Sequence, residues 1–140
     1  MNYAVLDTNV LLSALLCRKP PASVPMQILQ SVFARTLIPV FNDEILDEYE
    51  DVLHRPKFHF DQGIVRQAMD AVKNVGISKD ILHYDGHFPD PDDRVFFEVA
   101  WNMYQEDSNT YLVTGNTKHF PKERCVVTPR QLLDLIGRKR

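Results

Sequence analysis

Five glycines in 140 residues, none arranged as a phosphate-cradling loop of the Walker type, remove the P-loop nucleotide hydrolases from consideration. Cysteine is scarcer still. Cys17 and Cys125 stand far apart in sequence and form no metal-ligand spacing. Positive charge is also in deficit: 16 Lys and Arg against 19 Asp and Glu give a net charge of −3 and a pI of about 5.9. That balance argues against a protein that holds polyanions by bulk electrostatics. It leaves open a site whose charge is neutralised locally by a bound metal. No apolar stretch is long enough to span a membrane, and the opening residues lack the basic region of a signal peptide. The expectation is therefore a cytoplasmic chain, with no membrane association and both thiols free.

Low-complexity tracts and internal repeats are missing too. Nine prolines against five glycines describe well-punctuated loops rather than a flexible array. Basic residues gather in His54-Arg55-Pro56-Lys57 and in Arg138-Lys139-Arg140, where they read as solvated loop and tail charges. With 44% apolar and 25% charged residues, the composition is that of an ordinary globular domain. The length suits one domain over residues 1–140 with a proper core.

What the chain does have is alternation. Tyr3-Ala4-Val5-Leu6 is a short apolar run of the kind buried on both faces of a parallel sheet. A helix from Val10 to Leu16 follows and stops before Pro20-Pro21, and a second is expected from Ala22 to Ala34. Thr36 to Phe41 reads as a strand that Pro39 demotes to an edge or an irregular piece. Asn42 or Asp43 can cap a helix ending before Pro56, and another fits Asp61 to Val75, closed by Gly76. Residues 77–87 are ambiguous. An amphipathic helix starts near Asp92, with Val95, Phe96, Val99, Ala100 and Met103 at helical spacing. Tyr111–Thr114 and Cys125–Val127 are two more strands, and Pro129 starts a terminal helix. Strand–helix alternation predicts an α/β fold, a three-layer α/β/α sandwich with a mainly parallel central sheet.

In such a sheet, ligands bind beyond the carboxyl ends of the strands. Asp7 sits at that end of the first strand, and Thr114 and Asn116 at that end of another. Asp7 could equally be a helix N-cap. On the helix from Asp43 to His54, Ile45, Leu46, Tyr49, Val52 and Leu53 share one stripe. Glu48 and Glu50 fall at its two margins, and periodicity does not choose between them. Asp90-Pro91-Asp92-Asp93 opens a later helix, where carboxylates suit the dipole. One Asp suffices for a cap, however, and clustered carboxylates repel unless protons or a cation neutralise them. If Asp93 faces Asp7, a hard cation such as Mg²⁺ or Mn²⁺ is the natural solution. Phe97 and Trp101 read as core or subunit contact, and His119 as a structural loop residue or a phosphate contact.

Together these segments, YAVLDTNVLLSAL, EILDEYEDVLHRPKF, DPDDRVFFEVA and YLVTGNTKHFP, carry a resemblance. In order and spacing the chain resembles the PIN domain family over nearly its whole length, and in particular the toxin components of bacterial toxin–antitoxin systems. The resemblance implies a single PIN-like domain over 1–140 and a metal-dependent ribonuclease activity that hydrolyses RNA phosphodiesters. It places catalytic roles on Asp7, Glu48, Asp93 and Asn116, with the three acids holding the metal and Mg²⁺ or Mn²⁺ as cofactor. Asn9, Asp92 and Thr114 are supporting candidates, and Arg55, Lys57 and Lys118 are candidate RNA contacts. Many members carry an acid where this chain has Asn116, a departure that removes a negative charge from the second-metal position. As partners the resemblance implies RNA, a small antitoxin protein, and a second copy in a homodimer or higher homo-oligomer.

Other classes fit less well. A haloacid-dehalogenase-like phosphatase needs a second acid where Asn9 stands. A receiver-like phospho-acceptor needs an acidic pair and a strand-end lysine that are not evident. The remaining rival is a degenerate PIN-like module that binds RNA or a partner protein without cleaving. Asn116 supports it, and the intact Asp7, Glu48 and Asp93 set opposes it.

Overall fold

Tyr3-Ala4-Val5-Leu6 becomes the middle of the sheet, as an apolar run buried on both faces should. The computed structural model describes residues 1–138, so Lys139 and Arg140 of the basic tail lie outside the described residues. Its strands are β1 (Asn2–Leu6), β2 (Leu37–Phe41), β3 (Ile77–Ser78), β4 (Thr110–Val113) and β5 (Val126–Val127). Its helices are α1 (Thr8–Leu16), α2 (Val24–Phe33), α3 (Asp43–Leu53), α4 (Gln62–Val75), α5 (Arg94–Glu106) and α6 (Pro129–Arg138). The strand order is β3-β2-β1-β4-β5, parallel throughout.

Crossovers run outward from β1 to β3, and the chain then returns to β4 on the other side. Reversing direction places helices on both faces, which gives the expected α/β/α sandwich. It also makes the junction of β1 and β4 a topological switch point, where the crevice beyond the strand ends opens. Helix α5 lies across this junction against β4, β1 and β2. That central position explains why Phe96, Phe97, Val99 and Ala100 are almost wholly buried.

The local signals were mostly of the expected kind. Asn42 caps α3 by accepting a hydrogen bond from the Ile45 N–H at 2.9 Å. Ser23 does the same for α2 from Met26, and Pro25 falls harmlessly in the first turn. Cys17 and Cys125 are free thiols. Among the described residues no helix is long and apolar enough to cross a membrane.

One expectation is corrected. Pro39 does not push β2 to the edge: β2 lies between β1 and β3, with Pro39 paired to Ala4. In a parallel ladder that pairing can be made with Ala4's own N–H and C=O. The donor missing from Pro39 then faces β3, whose pairing begins only at Val40 with Ile77. The proline is tolerated because the neighbouring strand is two residues long.

Gly76 closes α4 for a reason other than backbone freedom. Its φ of −81° is open to any residue. A methyl group there, however, would lie 2.5 Å from the Val72 carbonyl oxygen and 2.6 Å from both the Pro39 carbonyl oxygen and the Phe41 ring. Two of those three neighbours are backbone and cannot rotate away. Gly76→Ala is therefore expected to destabilise the fold by about 1–3 kcal/mol, the usual penalty of overpacking. Urea denaturation would register this as a lowered midpoint with unchanged slope.

Candidate active site

The parallel register of β1 and β4 sets the first corner of the site. Leu6 pairs with Val113, and the Asp7 N–H bonds the Val113 carbonyl oxygen at 2.9 Å. The next residues on the two strands, Asp7 and Thr114, are thus neighbours and both are buried. The Thr114 hydroxyl donates to Asp7 Oδ2 at 2.7 Å and accepts from the Asn116 N–H at 3.0 Å. Asp7 occupies the N-cap position of α1, yet its side chain makes no capping hydrogen bond. The capping role is weak: no full capping bond forms, though the Thr8 and Asn9 N–H groups still act on the carboxylate. That carboxylate is turned to Thr114 in the crevice.

Helix α3 supplies the second corner. The Tyr49 hydroxyl, wholly buried, donates to the carbonyl of Leu6, the residue before Asp7. This bond ties the middle of α3 to the end of the central strand. One residue earlier, the half-buried Glu48 accepts a hydrogen bond at Oε2 from the Thr8 hydroxyl. The other margin glutamate goes elsewhere: Glu50 lies 3.6 Å from the Lys73 ammonium and 3.4 Å from His54.

The acidic turn before α5 is the third corner. Asp90 accepts from the Asp92 N–H at 2.9 Å and so caps the 3-10 turn Pro91–Asp93. Asp93 stands at the start of α5 but makes no capping hydrogen bond. One carboxylate performs the local task, and Asp93 is left over from it.

Burial raises the pKa of all three acids, and Asp7 acts in turn on Glu48 and Asp93. Burial raises the Asp7 pKa above the ordinary carboxylate range, against the Thr114 hydrogen bond, the Asn9 and Thr8 backbone N–H groups and His119, which lower it. Glu48 is raised first by burial and then by Asp7, Asp92 and Asp90, while the Thr8 hydroxyl pulls it back. Asp93 is pushed up from 3.8 to about 6, by burial first and then by Asp7, Asp90 and Glu48, with His119 opposing. Desolvated like charges are the condition that a cation relieves. The donors are carboxylate oxygens without cysteine, which fits a hard divalent ion better than zinc. The donor set therefore fits a metal in kind. Among the described residues, no three His, Cys, Asp or Glu side chains stand close enough to enclose one ion as they are placed.

The family model for the PIN domain matches residues 3–118. The chain belongs to the PIN domain family. No curated protein and no solved structure matches it. PIN domains are generally metal-dependent nucleases, so nuclease-type chemistry is what membership brings. The matched segment contains Asp7, Glu48, Asp93 and Asn116, and leaves β5 and α6 outside it.

Within this PIN domain the other sequence candidates divide. Thr114 touches Asp7, and Asp92 acts on Glu48 through space. Asn116 enters through its backbone; its residue is exposed, and its N–H, not its amide, engages Thr114. Asn9 is exposed, and its backbone N–H acts on Asp7. Arg55 pairs with Asp51 at 3.0 Å and Lys57 lies over the Phe58 ring at 5.1 Å, past the far end of α3. Lys118 is exposed in the 3-10 turn after Asn116. Sequence reasoning missed Thr8 and Asp90. Thr8 sits inside the quoted Asp7-Thr8-Asn9, but its partner lies 40 residues away, beyond any local spacing rule.

The raised Asp93 pKa has a stability consequence. An acid whose pKa is higher in the folded than in the unfolded chain weakens the fold as it ionises. That penalty is absent below about 3.8 and complete above about 6. Without added metal, Asp93→Asn should therefore melt higher than the wild type at pH 7.5. Melting curves measured down to pH 4 should show the difference closing.

Proposed function

We propose that this PIN domain is an endoribonuclease dependent on Mg²⁺ or Mn²⁺, acting in the cytoplasm as the toxin of a toxin–antitoxin pair. The observation that carries the chemistry is a buried Asp7 at the switch point of the sheet, held by Thr114, with Glu48 and Asp93 near enough to feel its charge. Carboxylates perturbed by burial and by a specific charged neighbour, gathered in a crevice, are the physical signature of a functional site. These three would hold the ion. When bound, it would polarise the phosphodiester, lower the pKa of the attacking water and offset charge on the leaving oxygen.

The chain's own groups have distinct tasks in this reading. Thr114, itself engaged by the Asn116 N–H, holds Asp7 Oδ2 and so fixes the carboxylate's orientation in the crevice. Thr8 holds Glu48 beside Asp7, and Tyr49 anchors the helix that carries it. Asp93 is left uncommitted by its own helix. The Asn116 amide can donate to a water or a nonbridging phosphate oxygen, where a carboxylate could only accept. Having lost one anion there, the site is expected to hold one metal tightly, with a second arriving alongside substrate.

RNA is the substrate class supported by the resemblance to the toxin branch. The same resemblance supports a small antitoxin that covers the crevice, and self-association. Phe33 on α2 and Ile64 on α4 are both about half exposed and offer apolar surface for such contacts. The rival reading is a module that binds RNA or a protein without cutting. It draws on Asn116 and on the unconverged placement of the acids.

Cleavage of RNA in Mg²⁺, Mn²⁺ or EDTA separates the two. The wild type should cut only with metal, and Asp7→Asn and Asp93→Asn should each lose roughly 100-fold or more, as expected for groups that stabilise transition-state charge. Near-normal activity of Asp7→Asn would sink the assignment.

A further inference from the structure

The crevice poses an electrostatic problem for a nucleic-acid substrate. A polyanion must approach five carboxylates, those of Asp7, Glu48, Asp90, Asp92 and Asp93, on a chain of net charge −3. A metal offsets charge at the reacting phosphate, but the neighbouring phosphates need their own contacts. Arg55 and Lys57 lie away from the crevice in their own pairings. Cations nearer to it are found elsewhere.

Beside the crevice is a hollow of about 310 Å³ between two loops. One wall comes from the segment 84–89, including His87. The other comes from Lys118, His119, Phe120 and Pro121, the turn that follows Asn116. His87, Lys118 and His119 are exposed, so their polar ends are free to meet a ligand from solvent. His119 also acts on both Asp7 and Asp93 through space, which places the hollow at the edge of the acidic site. Asp85 shares the rim, where His83 Nε2 engages it at 2.9 Å.

The first wall is built by buried interactions that the catalytic reading does not use. Glu98 on α5 is nearly inaccessible, and its Oε2 accepts the Tyr84 N–H at 2.8 Å, with His83 at 3.3 Å and Arg94 at 3.4 Å. Arg94 donates to the carbonyls of Tyr84 at 2.9 Å and Gly86 at 2.7 Å, and covers the Phe88 ring at 4.5 Å. The Tyr84 and Phe88 rings pack on Phe97 at 4.7 and 5.6 Å. Tyr84 also lines the hollow, its hydroxyl donating to Glu123 Oε1 at 2.8 Å. The first wall is thus fastened to α5 and, through Tyr84, to Glu123 just beyond the second. A surface loop held this firmly is pre-organised.

We propose that this hollow is a subsite for an RNA phosphate next to the one that is cleaved, held by Lys118 and His119 with His87 opposite. The proposal rests on the nuclease reading for its substrate. Cations on one flank of the acids guide the backbone across the crevice, whereas the acids alone would repel it. Lys118 supplies a point charge, and an imidazole N–H supplies a directional hydrogen bond to a phosphate oxygen. The hollow also explains the position of His119, whose turn follows directly from the strand that carries Thr114.

The test is binding of a fluorescein-labelled single-stranded RNA oligonucleotide to the full chain in Ca²⁺, read by anisotropy, with the oligonucleotide checked on a gel to be uncut. Lys118→Ala/His119→Ala should weaken binding about tenfold or more, the worth of one or two charge-assisted contacts. Lys118→Arg should bind like the wild type, and Arg55→Ala/Lys57→Ala should change affinity by less than about twofold. Lys118→Ala should also flatten the salt dependence by roughly 0.7 in log–log slope. Unchanged melting temperatures would show that the loops remain folded. Equal binding by wild type and Lys118→Ala/His119→Ala, or no binding by the wild type, would overturn the subsite. Binding that depends on Lys118 and His119, in a wild type that cuts nothing with Mn²⁺, would support the subsite while removing the nuclease reading.

Discussion

A carboxylate buried at the end of the central strand constrains everything around it. Asp7 cannot be solvated like a surface acid, and burial pushes its pKa upward. The chain does not relieve this with a salt bridge. It provides one threonine hydroxyl, two backbone N–H groups and a histidine at a distance. It then brings Glu48 and Asp93 near, which increases the repulsion. A fold selected for stability alone would have no use for that arrangement, whereas a site that takes up a cation needs it.

The scaffold keeps the acids together in spite of their repulsion. Tyr49 fastens α3 to the last residue of β1, so Glu48 cannot drift from Asp7 without breaking a buried hydrogen bond. Across the crevice, the length of α5 buried beneath the sheet holds Asp93 in place. Anchors made from the core thus pay for a surface of like charge. A metal and the fold are then linked: whatever ion binds these acids displaces protons and adds its binding free energy to stability.

Much of this was legible in the sequence because the signals were local. Short apolar runs gave the parallel strands, and Asp7, Glu48 and Asp93 each stood at an element end or margin that the family pattern could select. What was not legible depended on pairings across the chain. Pro39 suggested an edge strand because the proline is visible and the two-residue β3 that excuses it is not. Asp7 was read as a site residue with capping as the alternative, and nothing local reveals that Thr114 engages it from 107 residues away. Thr8 and Asp90 were passed over because one partner was distant and the other residue had an adequate local task. Gly76 was seen as a helix stop, and its crowding by Pro39 and Phe41 needed the packed sheet to show it.

The central claim is that Asp7, Glu48 and Asp93 form a cation site at the switch point of this PIN domain. Calorimetric titration with Mn²⁺ at pH 6, in two buffers of different ionisation enthalpy, tests it most directly. With Asp93 titrating at about 6, the account predicts one ion per chain, release of protons on binding, and loss of both in Asp7→Asn. Saturable binding that Asp7→Asn leaves intact, or no binding by the wild type, would contradict it.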